Sequence, residues 1–287
     1  MCPANRSDIG ITIVSMTRQE VQLAIDWAQR EGWNPGLHDA DCFFKSDPHG
    51  FFAAKVADEM VGSISIVTYS DNFAFEGLLI VRPDFRGKGI SWSIQKFITQ
   101  NYGSLTVGLD SVLSMQKKYE QADFSLAYTS TRFAGTNKAD APSERSLPIS
   151  KSDLDEVADF DKEFFPAKRG RFLQSWLFQQ DSKALMTTES NGKICGYGVI
   201  RKCFRGYKIG PLFAKSLEAA EELFSALRSF ASGQEVFLDV PMPNSSGLSL
   251  ASRHGMRPVF VTARMYTKTH PILPLNNIYG ITSFELG

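Results

Sequence analysis

The chain has 287 residues, and its 31 Lys and Arg balance 31 Asp and Glu, so the formal net charge is zero. Hydrophobic residues at 43% and charged residues at 22% fit a globular protein near the length at which chains divide into two domains, and exclude a disordered or fibrous one. Without a basic excess or a basic run, nucleic acid is not an expected partner, and no stretch approaches the roughly 18 apolar residues of a membrane span.

In the first half, strand and helix patterns alternate. Ile11 to Val14 is a short β-branched run. Thr17 with Glu20 three residues on reads as a capping box opening a helix, and Gly32 with Asn34-Pro35-Gly36 ends it. Strands are predicted over 51–57, 61–69 and 73–81, joined by tight turns at Asp58-Glu59 and Asp71-Asn72; such a meander pairs antiparallel. A loop over 82–89 leads into a helix over about 90–100, followed by a strand at 105–109, a helix over about 112–121 and a strand at 125–132. Gly135 to Ser146 is small, polar and aperiodic, the pattern of a linker. The second half repeats the plan loosely: helix 153–165, strands 184–189, 194–201 and 207–213, helix 217–231, strand 235–240, helix 244–254 and strand 259–266. The expected fold class is α/β (α+β), with domains at 1–135 and 148–287 around a linker at 136–147.

Cys2, Cys42, Cys195 and Cys203 include no Cys-x-x-Cys pair, and His38, His49, His254 and His270 lack ligand spacing, so no metal is expected. Unpaired thiols and the lack of an apolar stretch in Met1–Asp8 lead to the expectation of a cytoplasmic protein.

The densest motif is Leu79-Ile80-Val81-Arg82-Pro83-Asp84-Phe85-Arg86-Gly87-Lys88-Gly89-Ile90. Pro83 stops a strand, and two glycines flank Lys88 where a helix begins. Amides at a helix start and the positive end of its dipole make an anion site, and the glycines let a diphosphate approach the backbone. The alternative is a plain strand-to-helix turn with solvated cations. The full string resembles the acyl-CoA pyrophosphate motif of the GNAT (Gcn5-related) N-acetyltransferases, and with its neighbouring elements the resemblance covers about residues 11–133. Asp84 stands where that family usually has Gln or Arg. The resemblance implies acetyl-CoA as co-substrate. It also implies that Leu79 and Val81 offer main-chain groups to the pantetheine arm, that the amides of Arg86, Gly87, Lys88, Gly89 and Ile90 hold the pyrophosphate, and that the Val81 N–H serves as oxyanion donor.

Acyl transfer to an amine needs a base, because an alkylammonium has a pKa of about 10.4, and the leaving thiolate, with a parent pKa of about 8.5, benefits from an acid. Glu76, amid apolar residues on the strand before the motif, is the candidate base; the alternative is a strand-end glutamate facing water. Tyr119 is the candidate acid, because the segment from Met115 to Phe124 resembles the family's helical Tyr before a Gly-Phe pair, with Asp123 replacing the Gly; the alternative is a packed core aromatic. In the family the region after the first helix lines the acceptor site, which here singles out Trp33, Asn34, Asp39 and Asp41 and an amine-bearing acceptor.

From about 148 to 287 the second half resembles the later part of the same fold, more faintly. It has no Arg-Gly-x-Gly, and Ala251 takes the place of Tyr119. The whole chain thus resembles tandem GNAT proteins with an active first domain and a degenerate second one, which shapes the acceptor pocket or forms a dimer contact. The leading expectation is an acetyl-CoA-dependent N-acetyltransferase acting on a small amine, as a monomer or homodimer. The alternatives are a non-catalytic acyl-CoA-binding sensor and, by family analogy, an aminoacyl-tRNA-dependent transferase, which the zero net charge disfavours.

Overall fold

The computed structural model describes residues 10–136 and 146–287. The first half runs β1 (Thr12–Ser15), α1 (Arg18–Arg30), α2 (Asp39–Ser46), β2 (Phe51–Val56), β3 (Glu59–Ser70), β4 (Phe73–Val81), α3 (Ile90–Tyr102), β5 (Thr106–Val112), α4 (Gln116–Glu120) and β6 (Phe124–Thr136). The second runs β7 (Leu147–Pro148), α5 (Leu154–Asp161), α6 (Gly170–Trp176), β8 (Ser182–Thr188), β9 (Ile194–Lys202) and β10 (Tyr207–Ala214). It continues through α7 (Leu217–Ser229), β11 (Glu235–Pro241), α8 (Ser245–Arg253), β12 (Arg257–Thr267) and β13 (Ile278–Gly280).

Local signals explain the first turns. The Thr17 hydroxyl accepts from the Glu20 N–H at 3.2 Å while the Thr17 N–H donates to Glu20 Oε2 at 2.7 Å, the reciprocal cap its spacing requires. Val21, Ala24, Ile25 and Ala28 then form the buried face of α1. Two helices appear where sequence patterning placed none. Both α2 and α6 are short, and their Phe43 and Trp176 rings stack across the two halves at 6.2 Å. The helix expected over 112–121 shrinks to α4, because Val112 still belongs to β5. The central part of the expected linker, residues 137–145, and the N-terminal stretch with Cys2 lie outside the described residues.

All strands join one sheet, ordered β1-β2-β3-β4-β5-β12-β6-β11-β10-β9-β8-β7, with β13 attached to β10. Pairing is antiparallel except for β4 with β5 and β10 with β11, and helices flank the sheet, so the mixed, mainly antiparallel α/β fold expected from sequence is the observed one. The two halves are not separate sheets, however. β12, from the second half, lies between β5 and β6, and β6, from the first, lies between β12 and β11. A cut between 135 and 148 therefore severs three strand pairings, β5 with β12, β12 with β6 and β6 with β11. Each half lends its last long strand to the other.

Paired charges mark this exchange. Arg264 on β12 lies opposite Asp110 on β5 and donates to it at 3.0 and 2.6 Å; Arg132 on β6 lies opposite Asp239 on β11 and donates at 2.6 and 2.7 Å. The two pairs occupy equivalent strands of the two halves and are buried. Fork-to-carboxylate geometry satisfies both charges, and losing one partner would strand the other in the interior.

Candidate active site

The ladder between β4 and β5 ends at the rung Glu76–Leu109. Beyond it β4 continues to Val81 against β3 while β5 turns to pair with β12, so the two parallel strands splay and open a cleft. A bulge in β4 sharpens the divergence: Leu78 has φ 49°, the register against β3 shifts there, and the Ser63 hydroxyl donates to the Leu78 carbonyl at 2.7 Å. Arg82 N–H donates to the Val61 carbonyl at 2.9 Å. In an antiparallel ladder bonded and non-bonded rungs alternate, so the Val81–Gly62 rung is non-bonded and the Val81 main-chain groups face the cleft. The Val81 carbonyl accepts from Arg86 Nε at 2.9 Å.

The cleft has a volume of about 620 Å³ and runs from this bulge to the start of α3. Gly87 (φ 76°) and Gly89 (φ 85°) are both left-handed, and a Cβ on Gly87 would meet nothing within 4 Å. Gly89 is the N-cap of α3, with no side chain capping the turn, and the first helical bond runs from Ser93 N–H to the Gly89 carbonyl at 3.0 Å. The amides of the first turn are left free. A wide cleft ending on free helix-start amides fits a nucleotide thioester whose diphosphate needs donors and whose arm needs a strand edge.

The expected site residues fall into two groups. Leu79, Val81, Arg86, Gly87, Gly89, Ile90, Trp33 and Tyr119 all line this cleft. Lys88 does not; its ammonium rests 4.5 Å over the Phe85 ring. Arg86 pairs with Glu31, and Asp84 is held by Arg82. Asn34, Asp39 and Asp41 are engaged elsewhere. The Asn34 side chain exchanges two 2.9 Å hydrogen bonds with the Arg205 backbone, Asp39 is fully buried against Arg201 at 2.9 Å, and Asp41 pairs with Arg18 at 2.6 Å. They tie α1 and α2 to their surroundings, and the structure does not bring them to the cleft.

Glu76 sits at the apex of the splay, buried. Burial among apolar neighbours pushes its carboxyl up to about 7, against the opposing pull of Gln95, whose Nε2 lies 3.4 Å away, and of Tyr119. Tyr119 is held well above the ordinary phenol range, first by burial and then by the Glu76 charge. The candidate base and candidate acid are thus neighbours, each setting the other's proton affinity. Local reading missed Trp92, Gln95 and Lys118, which also line the cleft; Trp92, 65% exposed on the first turn of α3, was the detectable one, as a large aromatic three residues after the loop.

Known proteins supply the context. The pattern of the acetyltransferase (GNAT) family matches residues 19–98, and that of an acetyltransferase (GNAT) domain matches 157–280. A holothin acyltransferase from Pseudoalteromonas sp. (strain SANK 73390) is 30% identical over 272 residues, 94% of this chain and 92% of the relative. The chain belongs to the GNAT acyltransferase family. Solved structures agree on the fold of this GNAT protein. A candidate acetyltransferase from Pyrococcus horikoshii superposes with a TM-score of 0.82 at 22% identity, covering 97% of this chain and 96% of that one. A tandem GNAT protein from the clavulanic acid biosynthesis pathway gives 0.61 at 11% identity, over 91% and 99%. Both GNAT units of the tandem thus lie in one chain and share one sheet. Among the described residues no helix is long and apolar enough to cross a membrane, and no three His, Cys, Asp or Glu cluster as metal ligands.

Proposed function

We propose that this acyltransferase uses acetyl-CoA and passes the acetyl group to a primary amine of a small molecule by direct attack. One observation carries the reading: Glu76, whose carboxyl burial pushes up to about 7, lines a small cavity that shares Trp33, Leu79, Met115 and Tyr119 with the cleft of the Gly87–Gly89 loop. Acetyl-CoA supplies the activated acyl carbon. Glu76, in its ionised form, accepts the proton of the arriving ammonium, leaving a neutral amine to form the C–N bond as the C–S bond breaks. The Val81 N–H is the donor for the carbonyl oxygen as charge develops there. Tyr119 gives its proton to the departing sulfur and is re-protonated by the cationic nitrogen of the adduct, so the neutral amide and the thiol form together and the proton held by Glu76 is released to solvent. Protonation of Glu76 removes the charge that helps hold Tyr119 high, so proton uptake at one residue prepares release at the other.

The relative's reaction, transfer to holothin, supports acyl transfer to a small acceptor. A cytoplasmic setting and self-association remain separate proposals, the latter read directly by sedimentation. Thiol release from acetyl-CoA across a panel of small primary amines tests the main reading. Turnover with at least one amine, abolished by Glu76→Gln, is expected. Tight coenzyme binding with no thiol release for any amine would leave a binding module in its place.

A further inference from the structure

We propose that Glu285 and Thr262, both from the second half, form the amine-holding wall of the acceptor subsite opposite Glu76. This deepens the acetyl-transfer reading, and depends on it for the fate of the amine but not for its binding. The subsite is a second cavity of about 70 Å³ at the closed end of the cleft, lined by Glu76, Asp110, Thr262, Phe284 and Glu285 among others. It shares Trp33, Leu79, Met115 and Tyr119 with the cleft. The volume exceeds what one water requires and suits the end group of a small acceptor.

The lining is short of donors. Glu285 is 2% exposed and Thr262 1%. Neither Glu285 oxygen, nor Thr262 Oγ1, nor Glu76 Oε1 has a hydrogen-bond partner, whereas Asp110 is satisfied by Arg264. Buried carboxylates without donors are costly, and ionised ones can only accept. An ammonium or primary amine brings donors and no competing charge, while a carboxylate or phosphate would be repelled. The surrounding charges agree. Lys208, Arg132, Arg201 and Asp39 all act on Glu285. Arg132 is neutralised by Asp239 and Arg201 by Asp39. Lys208 does not line the cavity, and burial holds it below the ordinary lysine range while pushing Glu285 up, so what the Glu285 oxygens lack is a hydrogen-bond donor, which an amine supplies.

Glu285 is held in place from both sides. Its carbonyl would lie 2.0 Å from a Cβ on Gly77, so the segment presses directly on β4 at the residue after Glu76. The Arg132 guanidinium covers the Phe284 ring at 4.7 Å, and the Tyr69 hydroxyl donates to the Leu286 carbonyl at 3.0 Å.

Ethylammonium chloride titrated into the full chain labelled with ¹³C at glutamate carboxyls tests this, with potassium chloride and ethanol as controls. A saturable carboxyl shift is expected for ethylammonium alone. Glu285→Gln should weaken that binding at least tenfold and Thr262→Val several-fold, with coenzyme A affinity within twofold of wild type. No saturable shift, or wild-type affinity in Glu285→Gln, would overturn the proposal; should Glu285→Gln fail to fold, unchanged affinity in Thr262→Val would do so. Ethylammonium binding without thiol release for any amine sinks the transfer reading and leaves the subsite. Thiol release with acceptor KM unmoved by Glu285→Gln does the reverse.

Discussion

The sheet opens twice, once in each half, and the two openings have opposite fates. In the first half β4 and β5 part beyond Glu76 and the space is a cleft. In the second half β10 and β11 part after the Ile209–Leu238 rung, and β13 fills the space by pairing with β10 at Leu212 and Phe213. The Ile281 N–H bonds the Asp239 carbonyl at 2.9 Å on the other side. The helix starts differ in the same sense. Gly89 leaves the first turn of α3 uncapped, whereas the Ser216 hydroxyl caps α7 by accepting from the Ala219 N–H at 3.2 Å. One copy keeps its strand edge and helix amides free for a ligand, and the other satisfies them with its own chain. Filling a site and emptying it are the same hydrogen-bonding problem solved by different partners.

Five substitutions would break or sharpen this comparison. Glu76→Gln should cut kcat by about 10²–10⁴, the scale of a lost general base, with coenzyme affinity retained. With Glu76 as the proposed base its ionised form does the work, so wild-type kcat should rise with pH through about 7, and that limb should vanish in the variant; a surviving limb would assign the base elsewhere. Next, Asp110→Ala and Asp239→Ala strand equivalent arginines in the two halves, and each should cost about 3–5 kcal/mol. Chemical denaturation should show one shared transition in both variants, since the strands interleave. Two separated transitions would make the halves independent.

Gly89→Ala forces an L-residue into a left-handed N-cap at a cost of about 1–2 kcal/mol, expected as a five- to thirtyfold loss of coenzyme affinity by calorimetry. Ser216→Ala, at the matching point of the second half, should cost about 1 kcal/mol of stability and leave coenzyme affinity alone. Equal effects of these two changes on affinity would erase the distinction between the openings.

Much of the candidate site's geometry was legible because its signals are local. The Thr17–Glu20 cap, the β2–β4 meander, the glycines before α3 and the lone carboxylate in Phe-Glu-Gly-Leu all announce themselves within a few residues. The strand exchange does not. β6 and β12 both mix β-branched with aromatic residues, and nothing within either states which neighbour it will take. In hindsight the doubled pattern of Leu-Asp on β5 and β11 with a following Arg on β6 and β12 is the trace of it, since each Arg needs an Asp across the rung. Asp39 and Asp41 looked like acceptor ligands because a run of acids after a helix reads the same whether it faces a cavity or an arginine. Arg201, 162 residues away, decides that for Asp39. Glu285 carried no local signal, because its setting is made by Gly77 and Arg132 from the other half.

Coenzyme A titrated calorimetrically into the full chain tests the central contrast most directly. One site per chain is expected, lost when Gly87 and Gly89 are both replaced by valine and untouched by Ser216→Ala. Two sites per chain, or undiminished binding in the double glycine variant, would contradict it.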